Sequence, residues 1–415
     1  MKIEIGNRIH FKFDQETLPT ILICIVWSSM LFAYARGVIN RFPVLGEHTE
    51  EIIPLFVIIP TILALPSLIN KFSLADYFFF LLLVIHYVAG YVFFPENSTY
   101  LSENAYLCLC CVFPYYFIGR VVDIEKVYDY FLMLSTFCIY MTLFYYLIYS
   151  PGNKVVDEET AYDNMYVAYQ TLPHVAMLMW ATLKKFRIWK VITTLLGILF
   201  LISCGTRGPL VCLGFFTIVY FTFYMNFKGA IYVKGFFIAS FIIVIVFIQQ
   251  IALSLFKVFT GFNLSTRIIE KFIYGDLGND SQRSSLRDQL YYALDNGDHF
   301  WGLGLFGCQN YGVIYPHFLP LDFISTYGYF TGYVLLFLLF ALIVWAIWMT
   351  RGKMVQEFII LLFSLSIIKL MLSGTFINEP YFYFLIGLCA KETLFHSGIF
   401  VIKPKASVIS SAAND

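Results

Sequence analysis

Long uninterrupted apolar runs recur along the whole sequence, and they constrain the fold more than any other feature. Runs of about 17 to 25 residues are long enough to cross the hydrocarbon core of a bilayer as helices. The composition agrees, because 60% of the residues are hydrophobic and 13% are charged, whereas soluble domains are nearer half apolar and a quarter charged. The runs are continuous rather than alternating, which excludes a lipid-facing β-barrel. The sequence therefore predicts an all-α polytopic membrane protein.

The apolar runs divide into twelve predicted spans, with one long interval between the ninth and the tenth. Residues 1–255 hold spans one to nine, residues 256–321 form an extracytoplasmic loop with short helices, and residues 322–400 hold spans ten to twelve. Residues 401–415 are a polar cytoplasmic tail. The spans are 18–38, 52–69, 74–94, 104–119, 127–149, 165–183, 188–204, 208–226, 231–255, 322–349, 355–374 and 380–400.

The placement of lysine and arginine predicts the orientation of these spans. Short loops rich in these residues stay in the cytoplasm, whereas long loops cross the membrane regardless of their charge. The short loops place both termini in the cytoplasm. The turn that holds Arg207 and the long loop then lie on the outer face.

Several classes of function are excluded by composition and spacing. The formal net charge is zero, so no general basic character indicates a nucleic-acid partner. The nine cysteines fall almost entirely within apolar runs and lack zinc spacing. We therefore expect no metal and no cofactor. Asn97-Ser98-Thr99 matches the glycosylation pattern by chance, and the segment 95–103 is interpreted as a simple connector.

The long loop carries the polar features that we interpret as functional. Ser285-Leu286-Arg287-Asp288 fits a capping box, and apolar residues follow at helical spacing. These patterns predict a short helix over 286–295 on the outer membrane surface. Gly302, Gly304 and Gly307 then form a tight connector, and His317 lies at the edge of the tenth span.

Arg207 is the first candidate for binding an anion. Gly205, Gly208 and Pro209 interrupt the chain around it, and proline fits the first turn of the eighth span. A positive charge beside a helix N-terminus is unfavourable unless an anion is bound there. We therefore favour a phosphate or diphosphate site over an arginine that only reaches towards the membrane surface.

Further candidates lie in the long loop and the last spans. Arg287 is the stronger and Arg283 the weaker partner in a diphosphate clamp, although arginines four apart can equally form a solvated face. His317 could take a proton, with Asp322 orienting the imidazole or acting itself. Lys369 and Glu379 are costly if they face lipid, and pairing and substrate roles are both open for them.

A series of short motifs follows one order from the seventh span to the tenth. They are Gly205-Thr206-Arg207-Gly208 at a helix start, Arg287, Tyr291-Tyr292-Ala293-Leu294, Gly302-Leu303-Gly304, His317, and Gly328 with Gly332. This order resembles the O-antigen ligase and O-antigen polymerase superfamily. One departure is Phe318, because the family usually has asparagine after the histidine. Asp322 matches a position where the family often carries a carboxylate.

The resemblance implies a GT-C-like, metal-independent, inverting glycosyltransferase of the bacterial inner membrane, in lipopolysaccharide biosynthesis. Its substrate would be an oligosaccharide linked to undecaprenyl diphosphate, with membrane lipid, a chain-length regulator and a flippase as partners. Arg207, Arg287 and Arg283 would bind the diphosphate, and His317 with Asp322 would orient or deprotonate the acceptor hydroxyl.

Three functions fit these patterns. A polymerase would extend the glycan on the next lipid-linked repeat unit, and the altered residue after His317 favours this function. A ligase would transfer the polymer to lipid A-core. A transporter or flippase predicts charges at mid-membrane in paired halves, whereas here they concentrate on one predicted face.

Overall fold

The computed structural model of the chain is dominated by helices, as the apolar runs predict. It describes residues 72–149, 158–224, 248–261, 283–296 and 301–395, with 2–4, 10–12, 17–28 and scattered positions in 44–63 and 269–273. Two short strands, β1 (Lys2–Glu4) and β2 (His10–Lys12), pair antiparallel. The α-helices are α1 (Thr17–Trp27), α2 (Leu74–Phe93), α3 (Ser98–Tyr106), α4 (Tyr115–Val121), α5 (Ile124–Tyr149), α6 (Glu158–Lys184), α7 (Ile188–Ser203), α8 (Gly208–Phe223), α9 (Ile248–Gly261), α10 (Arg283–Asn296), α11 (Leu319–Tyr327), α12 (Tyr329–Met349), α13 (Met354–Phe363) and α14 (Pro380–Ala390).

Shorter helical segments join several of these helices. The 3₁₀ segments are Pro95–Asn97, Gly307–Tyr311 and Phe376–Asn378. The π-helical segments are Leu107–Val112, Ser364–Ile368 and Lys391–Phe395.

Four of the described helical stretches are long and apolar enough to cross a membrane. They are Leu74–Phe93, Pro95–Val121, Ile124–Phe144 and Tyr329–Met349. Three further helices are apolar but shorter, namely Ile188–Ser203, Gly208–Phe223 and Met354–Ile368. The chain thus has the character of a helical membrane protein. The count of twelve spans, the layout of the loops and the sidedness stay predictions.

Two features of the predicted layout are wrong. The segment 95–103 is not a connector, because helical structure begins at Pro95 and runs to Val121; proline is well accommodated in a first helical turn. The predicted span 322–349 is two helices. Gly328 separates α11 from α12 with a backbone φ of 79°, a conformation that glycine adopts without steric cost.

Some predictions fall on parts of the chain outside the described residues. These are most of the predicted spans 52–69 and 231–255, the second half of the span 18–38, and the tail 401–415. Within the described part, α9 continues to Gly261, beyond the predicted end of its span at residue 255.

An aromatic cluster forms the centre of the helical core. The Trp27 indole at the end of α1 is fully buried and stacks on Phe131 of α5 with ring centroids 4.8 Å apart. Edge-on contacts join it to Tyr381 and Phe384 of α14, at 5.1 and 5.7 Å. Such pairs contribute beyond their burial, so the cluster ties three helices together.

The backbones of α4 and α14 approach each other closely where the two helices cross. A Cβ at Gly119 would collide with the Phe384 carbonyl, and a Cβ at Gly387 would collide with the Tyr116 carbonyl. Small residues let two helix backbones approach to this extent. This crossing fixes α14, whose first residue follows Glu379.

A buried ion pair joins α2 to α4 beside this crossing. The side chains of Asp76 and Arg120 are 0% and 5% exposed and form a close pair. The Tyr116 hydroxyl donates to Asp76 Oδ1 at 2.9 Å, and the Ser73 hydroxyl and amide each donate to Oδ2 at 2.8 Å. Both carboxylate oxygens therefore have partners, as a buried charge requires.

Candidate functional site

Helix α10 packs on the protein through its apolar face. Leu290 and Leu294 are buried in a small second core with Leu303, Val313 and Leu321. The predicted apolar positions are confirmed, and other parts of the chain cover this face. The placement of the helix on the outer membrane surface stays a prediction. The predicted capping box is wrong, since the helix already includes its first residue, Ser285.

The packing of α10 directs two arginines towards neighbouring segments. Arg283 Nη1 donates to the Leu372 carbonyl at 3.0 Å. Arg287 Nη2 donates to the His317 carbonyl at 3.2 Å, and its guanidinium carbon lies 5.3 Å from the centre of the Phe318 ring. Arg287 therefore lies beside the turn that holds His317, whereas Arg283 reaches the segment after α13.

His317 occupies a strained turn at the start of α11. Its φ is 55°, in the left-handed region where side chains other than glycine are disfavoured. Its imidazole is half-buried and packs against the Tyr315 ring, with centroids 4.3 Å apart. Strained backbone of this kind concentrates at ligand-binding and catalytic sites, so the position suits a functional side chain.

Arg207 is the N-cap residue of α8, and Pro209 lies in the first turn of that helix. The predicted helix start is confirmed. A Cβ at Gly208 would collide with the Tyr169 hydroxyl of α6, so this turn lies directly against that tyrosine. The site that holds Arg207 is thereby connected to α6.

Tyr169 is the residue on which the separated segments meet. Arg283 and Tyr315 both lie within electrostatic range of its hydroxyl, and Ser373 lies beside it. Lys369 Nζ lies 5.2 Å from the centre of its ring. Tyr169 thus connects the Arg207 turn, helix α10, the His317 turn and the segment after α13.

Lys369 and Glu379 form the charged pair of this cluster. The two side chains make a close ion pair, with exposures of 20% and 4%. A π-helical segment, Ser364–Ile368, ends immediately before Lys369, and π-helical segments are frequent at functional sites. Pairing, one of the two roles left open for these residues, is therefore present.

Three buried polar atoms in this region have no hydrogen-bond partner within the described part of the chain. They are Glu379 Oε1, Arg287 Nε and Thr206 Oγ1. Buried polar groups in proteins are nearly always hydrogen-bonded. These atoms therefore provide hydrogen-bonding capacity for a bound polar ligand.

Asp322 has a different environment from the one that we predicted. Its carboxylate accepts from the Phe376 amide at 2.9 Å and is hydrogen-bonded by the Thr375 side chain, so its hydrogen bonds go to this segment rather than to the His317 imidazole. Burial raises the pKa of the Asp322 carboxyl to about 7, against the lowering effect of the Phe376 and Thr375 hydrogen bonds. Asp322 anchors the segment that leads to Glu379.

The glycine connector is confirmed, and it is attached to two other segments. Gly302 and Gly304 have φ values of 78° and 76°. The amides of Leu303 and Gly304 donate to the carbonyls of Ser325 and Thr326 at the end of α11. The buried Asn97 amide donates to the Leu303 and Leu305 carbonyls at 2.8 and 3.1 Å; Asn97 is thus a structural residue.

The structure therefore places Arg287 beside the His317 turn, and it places Arg283 and the Arg207 turn beside Tyr169. The hydrogen bonds of the Asp322 carboxylate go to Phe376 and Thr375. Tyr169 was not identified from the sequence, because a tyrosine within an apolar run carries no local signal of function. Lys369 and Glu379 had such a signal, since charged residues within apolar runs are rare.

Comparison of the chain with known proteins does not assign it to a family. No protein-family model, no curated protein and no solved structure matches the chain. The chain is thus described by its own residues, as a helical protein in which Arg283, Lys369, Tyr315 and the Arg207 turn lie around Tyr169.

Proposed function

We propose that the chain is an O-antigen (surface polysaccharide) polymerase of the bacterial inner membrane. It would transfer a glycan chain from undecaprenyl diphosphate to the next lipid-linked repeat unit. The observation that carries the proposal is the meeting of three cation-bearing segments on Tyr169. These segments hold Arg207, the two arginines of α10, and Lys369.

The charge of the cluster suits a diphosphate. Arg207, Arg283, Arg287 and Lys369 bring four positive charges, whereas Glu379 brings one negative charge. Arginine binds phosphate oxygens through paired N–H donors, and the N-terminus of α8 adds backbone dipoles that favour an anion. The cluster therefore has the excess positive charge that a bound diphosphate would neutralise.

The proposed reaction is an inverting substitution at the anomeric carbon of the donor sugar. The acceptor hydroxyl oxygen forms the new bond to this carbon, while the bond to the diphosphate oxygen breaks and the diphosphate leaves with the electron pair. The hydroxyl proton passes to His317. The fixed cations stabilise the charge that develops on the leaving group, and the proposal assigns no step to a divalent cation.

Asp322 takes a new role in this proposal. It is only 3% exposed, and its carboxylate holds the Phe376 amide. It is therefore a positioning residue for the segment that carries Glu379, which in turn pairs with Lys369. His317, which is half-buried, is the group that we propose to contact the acceptor.

The experiment is complementation of a host that lacks its own copy of the chain with Arg207→Ala or Arg287→Ala. Removal of one such donor lowers turnover by roughly 10²–10³-fold, so glycan ladders should shrink to single repeat units. Arg351→Ala is the matched control, because Arg351 is exposed and follows the far end of α12. Near-normal ladders with both cluster variants, at equal protein levels, would refute the site.

The same donor chemistry would serve a ligase, so a second measurement separates the two functions. Purified protein is given the lipid-linked oligosaccharide with EDTA, with and without a lipid A-core acceptor. A polymerase lengthens the lipid-linked chain without the acceptor, whereas a ligase turns over only when lipid A-core is present. A flippase gives no new glycosidic bond in either case.

A further inference from the structure

A cavity of about 720 Å³ is lined by the glycine connector and by the end of α11. Small-molecule sites have volumes of roughly 300–1,000 Å³. The cavity lies between the second half of α2, the connector at Gly302 and Gly304, and the junction of α11 with α12. The side chains that matter for its chemistry are His86, Phe93, Glu96, Trp301, Tyr327 and Thr331.

The cavity wall is mainly apolar, with aromatic rings and a few hydrogen-bonding groups. Trp301 and Phe93 are 68% and 74% exposed, and the rings of His86 and Tyr327 lie 5.3 Å apart. Glu96, Thr326 and Thr331 add polar atoms. Aromatic faces with polar edges suit a ligand that is apolar on its faces and polar at its rim.

This mixture favours a sugar over a hydrocarbon chain. A sugar ring presents C–H groups on its faces and hydroxyls around its edge, so it can satisfy both kinds of wall. A lipid chain in the same place would cover the polar groups of Thr326 and Thr331 and offer them no hydrogen-bond partner. Each unpaired group costs about 1–3 kcal/mol, so a chain is the poorer occupant.

The charge of the cavity restricts the kind of sugar. None of the residues lining it in the described part of the chain is lysine or arginine, and Glu96 supplies a carboxylate. A uronic acid or another anionic sugar would meet like charge here, which disfavours binding. A neutral sugar meets no such repulsion, and an amino sugar is attracted.

The cavity and the cation cluster lie at the two ends of one short helix. Arg287 holds the His317 carbonyl just before α11, and Tyr327 at the end of α11 lines the cavity. Nine residues of helix span about 13 Å. The two regions are therefore close enough to hold separate parts of one glycan substrate.

We infer that this cavity is a saccharide subsite for a neutral or amino sugar and that it excludes anionic sugars. The identity of that sugar as part of the transferred glycan rests on the proposed function. The binding of sugars to the cavity does not rest on the proposed function, so an experiment can contradict the subsite and the transferase activity separately.

Saturation-transfer NMR on the full chain in phospholipid nanodiscs tests the inference without a sugar detergent. The probes are methyl glucoside, methyl N-acetylglucosaminide and methyl glucuronide. The first two should receive saturation from the protein and the third should not. Trp301→Ala should weaken the binding roughly twofold to tenfold, whereas Trp348→Ala should not, because Trp348 is equally exposed at 68% but lies at the far end of α12.

Two more variants complete the experiment. Glu96→Lys should admit methyl glucuronide, and Arg287→Ala should still bind the neutral glycosides even where turnover is lost. Glycoside binding without any transferase activity would leave the subsite standing and overturn the proposed function. Absence of saturation transfer to all three probes, or equal signals in the wild type and Trp301→Ala, would overturn the subsite.

Discussion

Two ion pairs buried in the helical bundle differ in how completely they are satisfied. In the Asp76–Arg120 pair, both carboxylate oxygens have protein partners and both side chains are almost fully buried. In the Lys369–Glu379 pair, Lys369 is 20% exposed and Glu379 Oε1 has no partner within the described residues. About 12 Å of α14 separates the second pair from the first, since Gly387 lies beside the backbone of Arg120.

The difference shows that burial of a charge is not by itself a sign of function. A pair whose hydrogen bonds are all made inside the protein is complete and joins helices. A pair with a free acceptor and a partly exposed cation, placed against Tyr169, retains the capacity to interact with a ligand. We therefore assign the first pair to stability and the second to the site.

The largest expected effect is the loss of stability on breaking the complete pair. Arg120→Ala leaves Asp76 as a buried charge without its counter-ion, which costs about 3–5 kcal/mol. Thermal unfolding of the purified protein should show this loss. Lys126→Ala is the control, because Lys126 and Asp123 form an exposed pair, and its effect should stay within about 0.5 kcal/mol. Similar unfolding temperatures for both variants would contradict the assignment.

Removal of both members of each pair should separate the two roles. Replacing a whole buried pair by neutral groups of similar size is often neutral for stability. Lys369→Met with Glu379→Gln should therefore fold but lose roughly 10²-fold or more in transfer rate, because a fixed cation is removed. Asp76→Asn with Arg120→Met should keep its activity. The comparison fails if the two double variants have the same rate.

Asp322 should make the stability of the protein depend on pH. Its pKa is raised by burial from 3.8 to about 7, so the folded state binds this proton more tightly than the unfolded state. The stabilisation that comes from the protonated Asp322 carboxyl is complete below about pH 4 and is lost as the pH rises through about 7. The free energy of unfolding falls by at most on the order of 1.4 kcal/mol per pH unit in this range.

Asp322→Asn keeps an oxygen to accept from the Phe376 amide and removes the titration. Its unfolding temperature, measured from about pH 5 to pH 8, should be flatter than that of the wild type. Parallel curves for the two proteins would show that the carboxyl does not titrate in this range.

The smallest expected effect separates the backbone of His317 from its imidazole. Asparagine tolerates the left-handed conformation better than alanine does, so His317→Asn should be more stable than His317→Ala by up to about 1 kcal/mol. Both should lose transfer activity, because neither can take the proton. An active His317→Asn variant would remove the imidazole from the proposed reaction.

Local chemistry predicted those parts of the structure that depend on neighbouring residues. The start of α8 at Gly208 and the turn at Gly302 and Gly304 follow from the conformational limits of proline and glycine. The spacing of Leu290, Ala293 and Leu294 identified the buried face of α10. Periodicity shows which face is apolar but not what covers it, so Leu303, Val313 and Leu321, which pack on this face, could not be identified from the sequence.

The remaining features depend on contacts between residues far apart in the sequence. Asp322 was assigned to His317 because it is near in sequence, whereas its carboxylate is fixed by Phe376 from another segment. Tyr169 gathers residues from four segments, and no spacing rule predicts such a meeting. Helical structure from Pro95 was missed because polar residues near that proline are equally typical of a turn.

The role of Asn97 has a practical consequence for producing the protein. Asn97-Ser98-Thr99 is an acceptor pattern for oligosaccharyltransferases of eukaryotic secretory pathways, yet its amide is buried and joined to the Leu303 and Leu305 carbonyls. A glycan attached there before folding would prevent the polypeptide from closing over this amide. Bacterial expression avoids that modification, and Asn97→Gln is a poor remedy in eukaryotic cells because it disturbs the same closure.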